Sequence, residues 1–167
     1  RPRERLNVLE RLAGIIEPVV DADAAPFWDA VAEQRLLVPT CRACGATFFP
    51  PLPCCPRCQS ETIDLVEAAG TGTLYSWIVM RRALDPAYAG AVPYVVAAVE
   101  LTEGARLYSR LVHVDLDRAD DPDVLRAGMP LRLVFVDIDG RAMWAFAPAD
   151  AGTDPFSGHR ATPEVAR

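Results

Sequence analysis

Lysine is missing from all 167 residues, and the 17 basic side chains are arginine without exception. No side chain can therefore form a Schiff base or serve as the phosphate-binding lysine of a P-loop. Positive charge is scarce as well. Twenty-three acidic residues bring the net charge to −6, which argues against nucleic-acid binding, a function that rests on excess positive charge. Histidine occurs only twice, as His113 and His159. No apolar run approaches the roughly 18–20 residues of a membrane span, and the arginine-rich start, lacking a central apolar stretch, is not expected to act as a secretory signal. GxSxG, HExxH, P-loop and GxGxxG motifs are all missing. Gly70 and Gly72 form a GxG, but it leads into a strand rather than a helix, so it does not cradle phosphate. No nucleophile, base and orienting group can be assembled from what is left. The sequence thus predicts a chain that is not catalytic on its own.

What is present is a globular composition, 51% hydrophobic and 24% charged, long enough for one domain or for one domain plus a small module. Leu6, Leu9, Leu12, Ile15 and Ile16 recur at helical spacing until Pro18 stops the pattern. A second helix is expected from an Asp23 cap, with Pro26 in its first turn and Phe27, Trp28, Val31 and Ala32 on its apolar side. Residues 35–39 read as a short strand. Strands are expected again at 63–69 and at 73–80, where Leu74, Ser76 and Ile78 alternate with Tyr75, Trp77 and Val79. Further strands follow at 94–101 and, after a Glu103-Gly104 turn, at 105–114. A final hairpin is expected at 131–138 and 141–147, turning across Asp139-Gly140. The pattern predicts a mainly β fold: a five-stranded OB-fold barrel with a short helical insertion, preceded by two N-terminal helices and a four-cysteine zinc ribbon; a β-sandwich is the alternative, but it usually needs about seven strands. The expected divisions are helices at 1–38, ribbon at 39–62, barrel at 63–148 and an extended tail at 149–167. The start on Arg1 fits a domain cut from a longer polypeptide.

All five cysteines fall between positions 41 and 58. Cys41-Arg42-Ala43-Cys44-Gly45 and Cys55-Pro56-Arg57-Cys58 are two CxxC knuckles, each able to aim two thiolates at one point. Together Cys41, Cys44, Cys55 and Cys58 make a closed tetrahedral shell of the structural-zinc type, with no position for water. Disulfides, ordinary buried thiols and a rubredoxin-type iron site are the other readings of this set. Reduced thiols suit a cytoplasmic chain. Cys54 is surplus; it could replace Cys55 only by a CxxxC spacing.

Other candidates carry less information. Arg81, Arg82 and Tyr88 lie in a loop between strands, on the side where OB barrels meet ligands. They read either as solvated loop residues or as a contact for a phosphate or a carboxylate. His113 reads as a structural histidine, and His159 lies in the tail. Asp115, Asp117, Asp120, Asp121 and Asp123 lack calcium-loop spacing and read as a solvated acidic face. Asp137 and Asp139 read as turn residues.

The order Phe27-Trp28, Arg35-Leu36-Leu37, the two knuckles with Phe49-Pro50-Pro51 between them, Pro93-Tyr94-Val95-Val96-Ala97, Val99-Glu100-Leu101, Glu103-Gly104, Gly128-Met129-Pro130 and Phe146-Ala147-Pro148 resembles the domain-of-unknown-function-35 family over about residues 20–148. The resemblance implies a helical hairpin, a rubredoxin-like ribbon holding one structural zinc, and an OB-fold. It also implies a non-catalytic partner of thiolase-fold, acyl-CoA-handling enzymes. In archaeal relatives such a module bridges a thiolase and a CoA-condensing synthase. In actinobacterial steroid catabolism a similar module is fused behind a MaoC-like hydratase and joins a thiolase-like aldolase that cleaves the side chain. The expectation is therefore an accessory domain of such a carbon–carbon lyase, helping to form its acyl-CoA tunnel. A single-stranded nucleic-acid-binding OB module is the reading of another class, and it requires a basic aromatic face.

Overall fold

The computed structural model describes residue 20 and residues 24–84, 86–138 and 140–151. The expected helix at 3–17, Asp23, Asp139, His159 and the tail beyond 151 lie outside the described residues. The helix α1 spans Ala25–Ala32, with Pro26 in its first turn as expected. Its cap position is Ala24, which offers no side-chain hydrogen bond; the free amides of Phe27 and Trp28 turn instead to the Ala24 carbonyl, both at 3.1 Å. Gln34 ends the helix in the left-handed conformation at φ 59°, and the Arg35 amide donates back to the Ala30 carbonyl at 2.8 Å.

Two strands, β1 (Leu37–Cys41) and β2 (Ile63–Glu67), pair antiparallel from Leu37 opposite Glu67 to Cys41 opposite Ile63. The expected strand at 35–39 thus starts two residues later. The strand at 63–69 finds its partner in β1 and not in the barrel. Five further strands close on themselves: β3 (Thr71–Met80), β4 (Tyr94–Leu101), β5 (Arg106–Leu111), β6 (Pro130–Ile138) and β7 (Arg141–Pro148). Their order around the barrel is β3-β4-β5-β7-β6, with β6 returning to β3. All contacts are antiparallel except β5–β7, a parallel seam marked by Leu111 opposite Phe146. This is the five-stranded barrel expected from the sequence. No described helix is long and apolar enough to cross a membrane.

Strand β3 departs from simple alternation. Leu74 pairs with Val99 and Ser76 with Ala98, so Tyr75 is an extra residue on one side of the ladder. Leu74 is fully buried, Tyr75 and Ser76 both face out, and Ile78 is exposed. Leu74 and Ile78 therefore do not share a face. Just before the bulge, Gly72 is paired on both sides, with Leu101 and with Leu131. A Cβ there would sit 2.5 Å from the Glu100 carbonyl oxygen. Gly72→Ala must push two barrel strands apart, and an expected loss of about 1–3 kcal/mol in stability is checked by denaturant unfolding; unchanged stability would contradict this close approach.

One apolar core runs through the molecule, from Phe27, Val31, Leu36 and Val38 into barrel residues such as Leu74, Val95, Val99, Leu107, Leu131 and Phe146. At one end, four aromatic rings join the parts. Phe27 meets Trp28, Phe49 and Trp144 edge-on, with ring centres 5.4, 5.6 and 5.5 Å away. Helix, ribbon loop and β7 are thus tied at one point. A second tie is polar: Thr47 donates to the Glu103 carbonyl at 2.6 Å, and the Ala69 amide donates to the Glu103 carboxylate at 2.5 Å.

Candidate functional site

Two loops bring four thiols together beyond the end of the β1–β2 ribbon. The first follows β1. The Gly45 amide donates to the Cys41 carbonyl at 2.8 Å, and the Cys41 amide donates to Ala46 at 2.9 Å. The turn needs a left-handed residue, supplied by Gly45 at φ 69°. The second loop repeats the arrangement. The Gln59 amide donates to the Cys55 carbonyl at 2.8 Å, the Cys55 amide donates to Ser60 at 2.9 Å, and Gln59 takes φ 61°.

The Sγ atoms of Cys41, Cys44, Cys55 and Cys58 all lie within 4.8 Å of one another. Cys41 and Cys58 are 3.6 Å apart, and Cys44 and Cys55 are 3.7 Å apart. A tetrahedral zinc with Zn–S bonds of about 2.3 Å places its sulfurs about 3.8 Å apart. The thiol set therefore fits such an ion in ligand type, number and spacing. Disulfide bonds need sulfurs at about 2.05 Å, and all five cysteines are free. Cys54 is exposed and stands apart from the cluster, leaving Cys55 in the ligand position.

Backbone donors favour ionisation at Cys41. Burial of Cys41 resists its charge, but the amides of Cys44 and Ala43 and the neighbouring thiols outweigh it, lowering its pKa to about 7. Cys58 shows the converse. The Ser60 amide favours its thiolate, but crowding by the Cys44, Cys41 and Cys55 thiols and burial prevail, and its pKa is pushed up to about 12. A metal must displace that proton, so metal affinity rises with pH. The sulfurs sit over a small apolar cluster of Cys41, Phe48 and Cys55, flanked by Ala46 and Ile63. Beside it the Arg42 guanidinium, 2.6 Å from Asp64, holds that carboxyl below the usual range. Both side chains are exposed, and such pairs add little to stability.

Arg81 and Arg82 follow β3 directly, both exposed, and Arg81 pairs with Asp120 at 2.9 Å. Tyr88 lies in a single 3-10 turn at Pro86–Tyr88, its ring 6.4 Å from that of Tyr94. Tyr94 in turn carries the Arg110 guanidinium at 3.4 Å from its ring centre. Arg110 has no motif around it, and only the pairing of β4 with β5 brings it to these tyrosines. His113 lies two residues past β5, exposed and at φ 59°, not within the expected strand. The acidic stretch is spent on local bonds. Asp115 accepts from the Asp117 amide, Asp121 accepts from the Asp123 amide, and Arg118 donates to Asp121. Asp137 accepts from the Gly140 amide at 2.9 Å, as a turn residue does.

The comparisons with known proteins agree with this architecture. Residues 28–64 match the family model "ChsH2, rubredoxin-like zinc ribbon domain", and residues 65–136 match "ChsH2, C-terminal OB-fold domain". A chain of a solved structure described as "Ltp2-ChsH2(DUF35) aldolase" is 42% identical, with TM-score 0.67, over 80% of this chain and 99% of its own. A probable enoyl-CoA hydratase alpha subunit of Thermomonospora curvata is 43% identical over 73% of this chain and 36% of its own length. The 3-oxo-4,17-pregnadiene-20-carboxyl-CoA hydratase alpha subunit of Mycobacterium tuberculosis is 32% identical over 80% and 40%. This chain thus spans about two fifths of the hydratase subunits it matches. A DUF35 domain-containing scaffold protein of Methanothermobacter thermautotrophicus is 35% identical over 57% of this chain and 67% of its own.

Proposed function

The chain belongs to the DUF35 family, with the ribbon and barrel of its ChsH2 members, and from that premise we propose that it is a non-catalytic accessory domain of a thiolase-like acyl-CoA aldolase. The observation that carries the reading is the near-complete coverage, at 42% identity, of the DUF35 chain of an aldolase complex. The metal centre supports the same role. Cys41, Cys44, Cys55 and Cys58 would hold one zinc per chain, and four protein ligands leave no open position for a substrate or an activated water. Zinc is favoured by the all-thiolate set and by the zinc-ribbon family match. Its work is to fix the ribbon, while the partner supplies the reacting groups.

The substrate class follows from the relatives' names. Both hydratase subunits act on CoA thioesters by name, and one acts on a steroid carboxyl-CoA. The proposed reaction is side-chain cleavage of a steroid acyl-CoA by retro-aldol chemistry in the partner, in the cytoplasm, with an associated or fused MaoC-like hydratase upstream. This chain would stabilise the aldolase and help to wall its acyl-CoA tunnel, and Arg81, Arg82 and Tyr88 are the residues proposed to contact CoA or the partner. The aldolase subunit should cleave its hydroxyacyl-CoA at least tenfold faster with this chain than alone, and the two should co-elute. Equal turnover and separate elution reject the proposal. A second reading, a bridge between a thiolase and a condensing synthase, has the archaeal scaffold relative in its favour. Co-purification of a condensing synthase from the native source would select it.

A further inference from the structure

The outer side of β3, β4 and β5 is a barrel face left uncovered by the described residues of the chain. Tyr75, Ile78 and Tyr108 are 51%, 58% and 76% exposed there. The register sets them side by side. Ser76, next to the bulged Tyr75, lies opposite Ala98, and Ala98 lies opposite Tyr108; one row on, Ile78 lies opposite Val96, and Val96 opposite Arg110. Ala98 contributes only a methyl between Ser76 and Tyr108, so these rows combine exposed apolar side chains with few polar ones. The bulge enlarges the face by turning Tyr75 outward. Adjoining apolar side chains on such an area mark an interaction surface more often than a free one.

Two arginines lie on this face, and their surroundings differ. Arg106 stacks on Tyr75 at 3.4 Å from the ring centre and has its acid, Glu100, at 3.3 Å. Arg110 stacks on Tyr94, no carboxylate pairs with it among the described residues, and its Nη1 is buried with no hydrogen-bond partner. A desolvated guanidinium without a carboxylate carries a cost that a carboxylate from outside would relieve. Stacking also holds the guanidinium in place, so little side-chain freedom remains to be lost on pairing.

We propose that the outer face of β3–β5 is the docking surface for the aldolase partner, and that Arg110 receives a carboxylate of that partner within an apolar contact. This rests on the partner reading given above. Charge complementarity selects the occupant. The only acid on these rows, Glu100, is already paired, so a chain of net charge −6 presents here an apolar field with one uncompensated positive charge. A small anion would satisfy Arg110 but leave Tyr75, Ile78 and Tyr108 in water. Nucleic acid would need more positive charge than the face offers. A protein surface with apolar side chains around one Asp or Glu answers both features, and tyrosine and arginine are the residues that dominate such contacts.

The test uses the full chain and the Ltp2-like aldolase subunit from the same source, with affinity read by calorimetry and co-elution. Tyr108→Asp, Ile78→Asp and Arg110→Glu should each weaken binding at least tenfold, with zinc content and melting temperature kept. Tyr108 and Ile78 are exposed enough that their variants carry the test should Arg110→Glu fail to fold. If wild type binds and the folded face variants bind as tightly, the docking surface is wrong while the partner reading stands. If wild type does not bind, the partner reading fails and takes this inference with it. A wild-type homodimer that Tyr108→Asp dissociates would assign the face to a second copy and overturn the proposal.

Discussion

Stripping the metal with a strong chelator, or replacing Cys55 by serine, is expected to unfold residues 41–62 while the barrel strands persist. The reason lies in how small that segment's own core is. Its own buried core is Cys41, Phe48 and Cys55, two of which belong to the thiol cluster. Burying Phe48 stabilises by roughly 1.5–3 kcal/mol, whereas a structural zinc supplies on the order of 10–16 kcal/mol in such modules. Wild type should contain one zinc per chain, and Cys54→Ser should contain the same. Cys55→Ser should contain less than a tenth of that. Amide exchange gives the local readout: the Gly45 and Gln59 amides, which close the two knuckles, should lose protection, and the Val95 and Val99 amides on β4 should keep theirs. A metal-free chain with both knuckle amides still protected would sink the structural-zinc assignment. Iron in the purified native protein would replace zinc by the rubredoxin-type alternative. The pH dependence has a definite sign. Binding must displace the Cys58 proton, held up to about 12 in the metal-free fold, so acid favours release and zinc affinity falls as pH falls.

Phe27→Ala is expected to cost about 3–5 kcal/mol, the range for deleting a buried phenylalanine. Phe27 is only 2% exposed, and its ring meets Trp28, Phe49 and Trp144 edge-on. Aromatic pairs of this edge-on kind add about 0.5–1.5 kcal/mol each beyond the area they bury. The cavity would open where helix, ribbon loop and barrel meet, so relaxation in one of them cannot fill it. Trp28→Ala should cost less, because Trp28 is only partly buried and its ring lies at the margin of the cluster. Urea unfolding followed by tryptophan fluorescence gives both numbers. A Phe27→Ala loss below about 1 kcal/mol would show that this junction does not hold the parts together.

Much of this protein could be read along the chain. The four-thiol cluster was legible because a CxxC knuckle is a local device: two residues of spacing and one left-handed position aim two sulfurs at a point. The first knuckle announces its left-handed position with Gly45. The second hides it in Gln59, a residue with no such signal. Strand β4 was legible because a nearly unbroken apolar run flanked by turn residues has few other solutions. Alternation misled in β3, since a bulge inserts one residue and reverses the faces beyond it, and nothing in Leu74-Tyr75-Ser76 declares that. The Asp23 cap was a sound local choice, but the cap position falls on Ala24.

Local sequence thus carries the four-cysteine cluster, the succession of helix, ribbon and barrel, and a chemistry without lysine. Each of these is written in neighbours a few residues apart. Only the tertiary structure decided that β2 pairs with β1, that Phe27 meets Phe49 and Trp144, and that Arg110 rests on Tyr94 beside an exposed apolar face. Those contacts join residues tens of positions apart through strand register, and register is set by the packing of the whole barrel, not by any local stretch of the chain.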